Sequence, residues 1–109
     1  MSDPTPAVRA RVYLRDSDEV EGSPARALVY SSFVDAGVRD VAIHHGVMGF
    51  DRSPGLRSLR PLRFHADLPS VVEAVGRREE IEAALPGIRR VLSLGLITVT
   101  NVDLYEPGS

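Results

Sequence analysis

The stretch AVRARVYLR, residues 7–15, decides how the rest of the chain reads. Apolar Val8, Ala10, Val12 and Leu14 alternate with Arg9, Arg11, Tyr13 and Arg15. A period of two belongs to a β-strand, whose successive side chains point to opposite faces. One face of this strand is built for a core, while the other carries cations and an aromatic ring. A sheet organised around it has one covered face and one that needs solvent or a partner.

The flanking segments fill in that sheet. DSDEVEG, residues 16–22, is an acidic loop. Ser23 and Pro24 read as a helix start, a hydroxyl cap followed by a residue that lacks the N–H the first turn leaves unpaired. Ala25, Leu28, Val29, Ser32, Phe33 and Ala36 then recur at helical spacing, and Gly37 ends the helix. A second strand is expected over 39–47. GFDRSPGLRSLRP, residues 49–61, is a long loop, and loops of that length inside a compact domain usually carry function. Residues 62–64 resume as a strand, and β-branched 70–75 form another. A helix is predicted over 77–94, with Ile81, Leu85, Ile88 and Leu92 on one stripe, kinked or split at Pro86 and closed by Gly95. Residues 96–104 supply the last strand.

The order β-α-β-β-α-β defines an α+β, ferredoxin-like split βαβ fold: a four-stranded antiparallel sheet with two helices on one face. The domain is expected over 7–105, between a loose tail at 1–6 and another at 106–109. The uncovered sheet face points to an oligomer whose open faces pack around an axis.

Composition narrows the function classes. Hydrophobic residues are 43% and charged residues 26%, as in an ordinary globular protein. No apolar run approaches a membrane span, so no direct membrane insertion is expected. The first residues show no secretory pattern, and the chain has no cysteine, which suits a cytoplasmic protein and excludes thiolate metal sites. All 13 basic residues are arginine, and the net charge is −2, which argues against nucleic acid as a partner.

Several residues are candidates for chemistry. His44 and His45 are adjacent on a strand, so their rings face opposite ways and cannot chelate one ion together. The weak metal alternative is that one of them meets its copies at a symmetry axis. Gly46-Val47-Met48-Gly49 reads either as the bend where a strand leaves its sheet or as an anion-binding nest of backbone N–H groups. Arg52, Arg57 and Arg60, with Arg63 beyond, read either as a clamp for phosphate or an acidic partner, or as a solvated loop. The acidic run Asp16, Asp18, Glu19 and Glu21 lacks calcium-loop spacing and reads as a solvated turn. No Ser-His-Asp order, cysteine nucleophile or HExxH motif is present, so no catalytic residue is assigned and an enzyme is not expected.

Taken together, Glu21-Gly22, Gly46-Val47-Met48-Gly49-Phe50, Asp67-Leu68-Pro69 and Leu85-Pro86 carry a resemblance over about 8–105. The chain resembles the domain of unknown function 190 family of the PII-like signalling superfamily. That resemblance implies a homotrimer with the sheets lining its centre. It implies that 49–61 corresponds to the T-loop through which PII proteins touch their partners. A small anionic ligand, with an adenine nucleotide as the candidate the resemblance offers, is expected between subunits at His45, Gly46, Gly49, Phe50, Asp51 and Arg52, with Arg57 and Arg60 facing the partner. Asp51 stands where the second glycine of the PII turn falls, and His45 where family members often carry arginine. Ser93-Leu94-Gly95 is shorter than the glycine-rich phosphate loop of PII proteins. Family members are often encoded near fluoride-export channels, so the implied partner is a membrane transporter or channel. Two other readings stay open: a metal-binding trimer resembling the CutA relatives of PII, and a structural oligomer without a small-molecule ligand.

Overall fold

The computed structural model describes residues 3–46, 68–92 and 95–107. The alternating stretch forms the central strand β1, Thr5–Arg15. It begins two residues before the alternation does, because Thr5 and Pro6 pair with Leu104 and Asp103 of the last strand. Val8, Ala10, Val12 and Leu14 are buried, as their spacing required. Arg9, Arg11 and Tyr13 lie half-buried on the other face.

The acidic stretch after β1 is not wholly a loop. Its end forms a miniature hairpin, β2 (Glu19–Val20) and β3 (Ser23–Pro24). Glu21 and Gly22 make the turn with φ of 51° and 84°. Positive φ at both central residues is the mark of a type I′ two-residue hairpin turn, and it explains the glycine at the second of them. Ser23 is thereby drawn into strand pairing and does not cap the helix. Pro24 takes the N-cap position of α1, Ala25–Asp35, with no side-chain cap, and the Ala25 N–H instead donates to the Asp18 carbonyl at 2.8 Å.

Helix α1 buries Ala25, Val29 and Phe33. It ends as predicted at Gly37, whose φ is 83°. The Gly37 N–H donates to Val34 O at 3.1 Å and the Val38 N–H to Phe33 O at 3.5 Å, so the terminal carbonyls are satisfied around a left-handed residue. Strand β4, Asp40–His45, follows, and β5, Pro69–Gly76, returns beside it.

Helix α2, Arg78–Val91, buries Ile81, Ala84 and Ile88, and Leu92 packs against the same core. Pro86 does not split it. The proline and Glu82, the residue four before it, are both on the exposed side, where a carbonyl without a helical donor costs little. Gly95 does not close the helix either: Leu92 is its C-cap, and Gly95 precedes β6, Leu96–Leu104, with φ of 138°. A Cβ at Gly95 would stand 3.0 Å from the Tyr13 carbonyl oxygen.

The sheet order is β4-β5-β1-β6, with every neighbouring pair antiparallel. This is the ferredoxin-like arrangement, and both helices lie on the face that carries Val12 and Val72. Past the expected domain end, Glu106 takes both guanidinium contacts of Arg39, at 3.0 and 2.9 Å, and pins the chain after β6 to the start of β4. Among the described residues no helix is long and apolar enough to cross a membrane.

Candidate functional site

Register places the two histidines. His44 pairs with Val71 and His45 with Ser70. His45 therefore lies on the helix-covered side at its rim, and His44 lies on the open face, as strand alternation demands. They cannot share an ion within one chain.

His45 joins a polar cluster at the end of the sheet. The acidic run does not converge on one point: Asp18 Oδ2 accepts the Arg15 N–H at 2.9 Å, Glu19 and Glu21 stay in the exposed hairpin, and Asp16 turns toward β4 and β5. Asp16 Oδ1 receives the Ser70 hydroxyl and stands 3.2 Å from His45 Nδ1. Arg26 of α1 brings Nη1 to 3.9 Å from the same oxygen and donates to the Asp16 carbonyl at 3.0 Å. Ser70 Oγ is 3.4 Å from His45 Nδ1. An ionised carboxylate only accepts hydrogen bonds, so the contact with Asp16 is a hydrogen bond in the tautomer that carries its hydrogen on His45 Nδ1. The His45 side chain is 52% exposed, whereas Ser70 is almost wholly buried.

Backbone bonds fix the same place. The Gly46 N–H donates to Pro69 O at 2.9 Å, and the Asp16 N–H donates to Leu68 O at 2.9 Å. The chain thus leaves the sheet at Gly46 and re-enters it at Leu68 beside the cluster. Of the expected ligand residues, His45 and Gly46 are at this mouth. Gly49, Phe50, Asp51 and Arg52 lie outside the described residues, as do the loop 49–61 with Arg57 and Arg60, the strand expected at 62–64, Arg63 and His65, and Ser93 and Leu94.

The open face carries a second constellation. Arg11 and Glu73 are direct cross-strand partners, and Arg11 Nε donates to Glu73 Oε2 at 2.7 Å. That hydrogen bond holds the Glu73 carboxyl below the usual carboxylate range, against the opposing effect of partial burial, and raises the Arg11 guanidinium. His44 Nε2 is 3.9 Å from Glu73 Oε1. Together with Tyr13 and Val71 these residues line a shallow cavity of about 350 Å³. Arg9 Nε is buried on this face with no hydrogen-bond partner among the described residues. At the far end of the sheet a groove of about 620 Å³ runs between β1, β6 and the start of α2, but its arginines, Arg77 and Arg78, are already paired with Glu80 and Asn101. Among the described residues no three His, Asp or Glu side chains gather as a metal site.

Arg26 and Ser70 were not singled out by the sequence pattern, and Asp16 only as part of the acidic run. Their meeting depends on β4–β5 register and on the path of the chain after β1. The only local signal was Asp16 standing immediately after an alternating strand.

The split βαβ order, the open sheet face and a long excursion between β4 and β5 define a PII-like fold, and known proteins agree. CPII of Thiomonas intermedia K12, a nitrogen regulatory PII-like protein, superposes in its apo form with a TM-score of 0.65 at 16% identity, over 95% of this chain and 97% of that one. CPII bound to ADP, AMP and acetate gives a TM-score of 0.67 at 16% identity, over 97% and 95%. LarC2, the C-terminal domain of a cyclometallase involved in the synthesis of the NPN cofactor of lactate racemase, gives 0.62 at 11% identity, over 94% of this chain and 58% of that one. In sequence, UPF0166 protein MJ1524 of Methanocaldococcus jannaschii is 26% identical over 97 residues, 88% of this chain and 89% of that protein. Residues 7–104 match the DUF190 family, described as "Uncharacterized ACR, COG1993", and the chain belongs to it.

Proposed function

We propose that this chain is a PII-like regulatory protein. It acts in the cytoplasm as a homotrimer, binds an adenine nucleotide in clefts between copies, and reports occupancy to a partner protein through residues 49–61. The observation that carries the reading is the mouth at His45 and Gly46, where both ends of segment 47–67 are tied beside a cluster of hydrogen-bonding side chains. CPII, which shares the fold, is known with ADP and AMP bound.

In this reading His45, Gly46, Gly49, Phe50, Asp51 and Arg52 contact the nucleotide, and Arg57 and Arg60 face the partner, a membrane transporter or channel. The nucleotide acts by preferring one arrangement of the protein over another, since a ligand shifts an equilibrium only by its differential affinity. Catalysis is not part of the reading. Ser70 and His45 Nδ1 both turn to one oxygen of Asp16, so the imidazole does not present a free nitrogen to the serine hydroxyl as an acyl-transfer base would.

The test is isothermal titration of the purified protein with ADP and with AMP, after light scattering has fixed its mass. The expected result is a mass of three chains and saturable binding that Arg52→Ala weakens about tenfold or more, the loss of one charge-assisted contact. A monomeric mass with no heat of binding would overturn the reading.

A further inference from the structure

The open sheet face carries a cation and an anion that the described chain leaves unpaired, and strand register sets them on one row. Arg9 of β1 stands opposite Val75 of β5, and Val75 stands opposite Asp40 of β4. Residues directly opposite in antiparallel strands point to the same face. Arg9, Val75 and Asp40 therefore cross the open face in line, with the valine between the two charges.

Their nearest partners are taken. Glu73 is the acid next along the face from Arg9, but its Oε2 receives Arg11 Nε at 2.7 Å and its Oε1 faces His44 at 3.9 Å. Arg9 Nε is buried and has no hydrogen-bond partner among the described residues. Buried donors in native proteins are paired, because an unpaired one keeps the full cost of leaving water. Asp40 stands exposed at the start of the edge strand β4. Its neighbour Arg39 gives its guanidinium to Glu106, at 3.0 and 2.9 Å. No ion pair or hydrogen bond to the Asp40 carboxylate is present among the described residues.

A guanidinium without an acceptor and a carboxylate without a donor, fixed on one face, complement a second copy of that face. An acidic partner would satisfy Arg9 and repel Asp40, and a basic partner would do the reverse. A second copy satisfies both. When the contact runs head to tail, each copy gives Arg9 to one neighbour and Asp40 to the other, so a closed ring leaves neither group over. Resting on the homotrimer of the functional reading above, we propose that Arg9 of each copy donates to Asp40 of the next. These charge-assisted bonds fix the register in which copies meet, while the Arg11–Glu73 pair stays within each copy.

The experiment is light scattering of the full chain and its charge-reversed variants at one protein concentration, with circular dichroism and urea unfolding to establish that each variant is folded. Wild type is expected to have the mass of three chains. Arg9→Glu sets two carboxylates against each other between copies, and its mass is expected to fall toward that of one chain. Asp40→Arg sets two guanidinium groups together and is expected to do the same. The double variant, Arg9→Glu with Asp40→Arg, restores the pair with its charges exchanged and is expected to recover three chains. Asp40→Arg added to Tyr13→Glu, which lies two rows from Arg9 on the same face, is expected to recover nothing. A wild-type trimer whose mass neither single reversal changes, or a double variant no better than the singles, overturns the pairing and leaves the trimer standing. Recovery in the Tyr13→Glu background also overturns it, because charge balance without pairing would then suffice. A monomeric wild type overturns both the pairing and the trimer.

Discussion

At Ser70 the side chain is almost fully buried, and the hydroxyl is given to a carboxylate that also faces a ring nitrogen and a guanidinium. Ser70→Ala removes a hydrogen bond to a charged group and leaves Asp16 partly exposed with its other partners. The expected cost is about 1–3 kcal/mol, read as a lower urea midpoint at unchanged slope. Two glycines offer a paired test of backbone constraint. Both have positive φ, but the nearest atom to a Cβ at Gly37 is Glu80 Oε2 at 3.9 Å, whereas at Gly95 it is the Tyr13 carbonyl oxygen at 3.0 Å. Gly37→Ala should cost about 1–2 kcal/mol, the left-handed penalty alone, and Gly95→Ala clearly more, because a β1 carbonyl must move as well. Equal losses would contradict the contact at Gly95. The opposite facing of His44 and His45 was legible from strand period alone. The meeting of His45 with Asp16 and Ser70 was not, since it joins residues far apart in sequence through strand register.

Among the elements, α2 shows how local chemistry sets a terminus. Glu80 folds back so that its carboxylate accepts the Arg77 N–H at 2.8 Å and the Arg77 guanidinium at 3.1 Å. The backbone N–H first, and the guanidinium second, hold the Glu80 carboxyl below the usual range. A carboxyl whose folded pKa is depressed adds stability that is fully present above the unfolded value, about 4.3 for glutamate, and lost as pH falls through the folded value. The stability difference between wild type and Glu80→Gln should therefore be constant near neutrality and shrink in acid, measured by urea unfolding at several pH values. A difference that grows in acid would contradict this capping. Packing gives a second test on the same helix. Ile88 is fully buried, and Ile88→Ala should cost about 2–5 kcal/mol, with Leu85→Ala, only half-buried, costing less. The central strand and α2 were legible because their apolar periods are clean, and α1 was legible by its Gly37 terminus more than by a contrast between its faces. Three boundaries were not. The Glu-Gly turn recruits Ser23 into a hairpin, Pro86 falls on the solvent side, and Gly95 serves the strand that follows it. Ser23 and Gly95 were assigned to the wrong element and Pro86 to the wrong effect, because neighbours in space decided each outcome.

For the whole molecule, the uncovered sheet face is the feature that a single chain does not resolve. Arg9, Arg11 and Tyr13 stand on it beside Glu73, and Arg9 Nε is buried without a partner among the described residues. In the proposed trimer this face is closed by other copies. Tyr13→Glu would place an unpaired carboxylate in that closed space, and light scattering should show the mass fall from three chains toward one, while a mass unchanged from wild type would place the interface elsewhere. The fold was legible at this scale because one alternating strand implied a two-faced sheet and the element order fixed its topology. The proposal of a nucleotide came only through resemblance, since no single motif in the chain grips phosphate on its own. The most direct measurement is thermal unfolding of the purified protein across a series of ADP concentrations, with Gly49→Ala and Arg52→Ala alongside. Binding to the native state must raise Tm with ligand concentration by mass action. The account predicts a rise for wild type that both variants lose; a wild-type Tm that stays fixed from micromolar to millimolar ADP would contradict it.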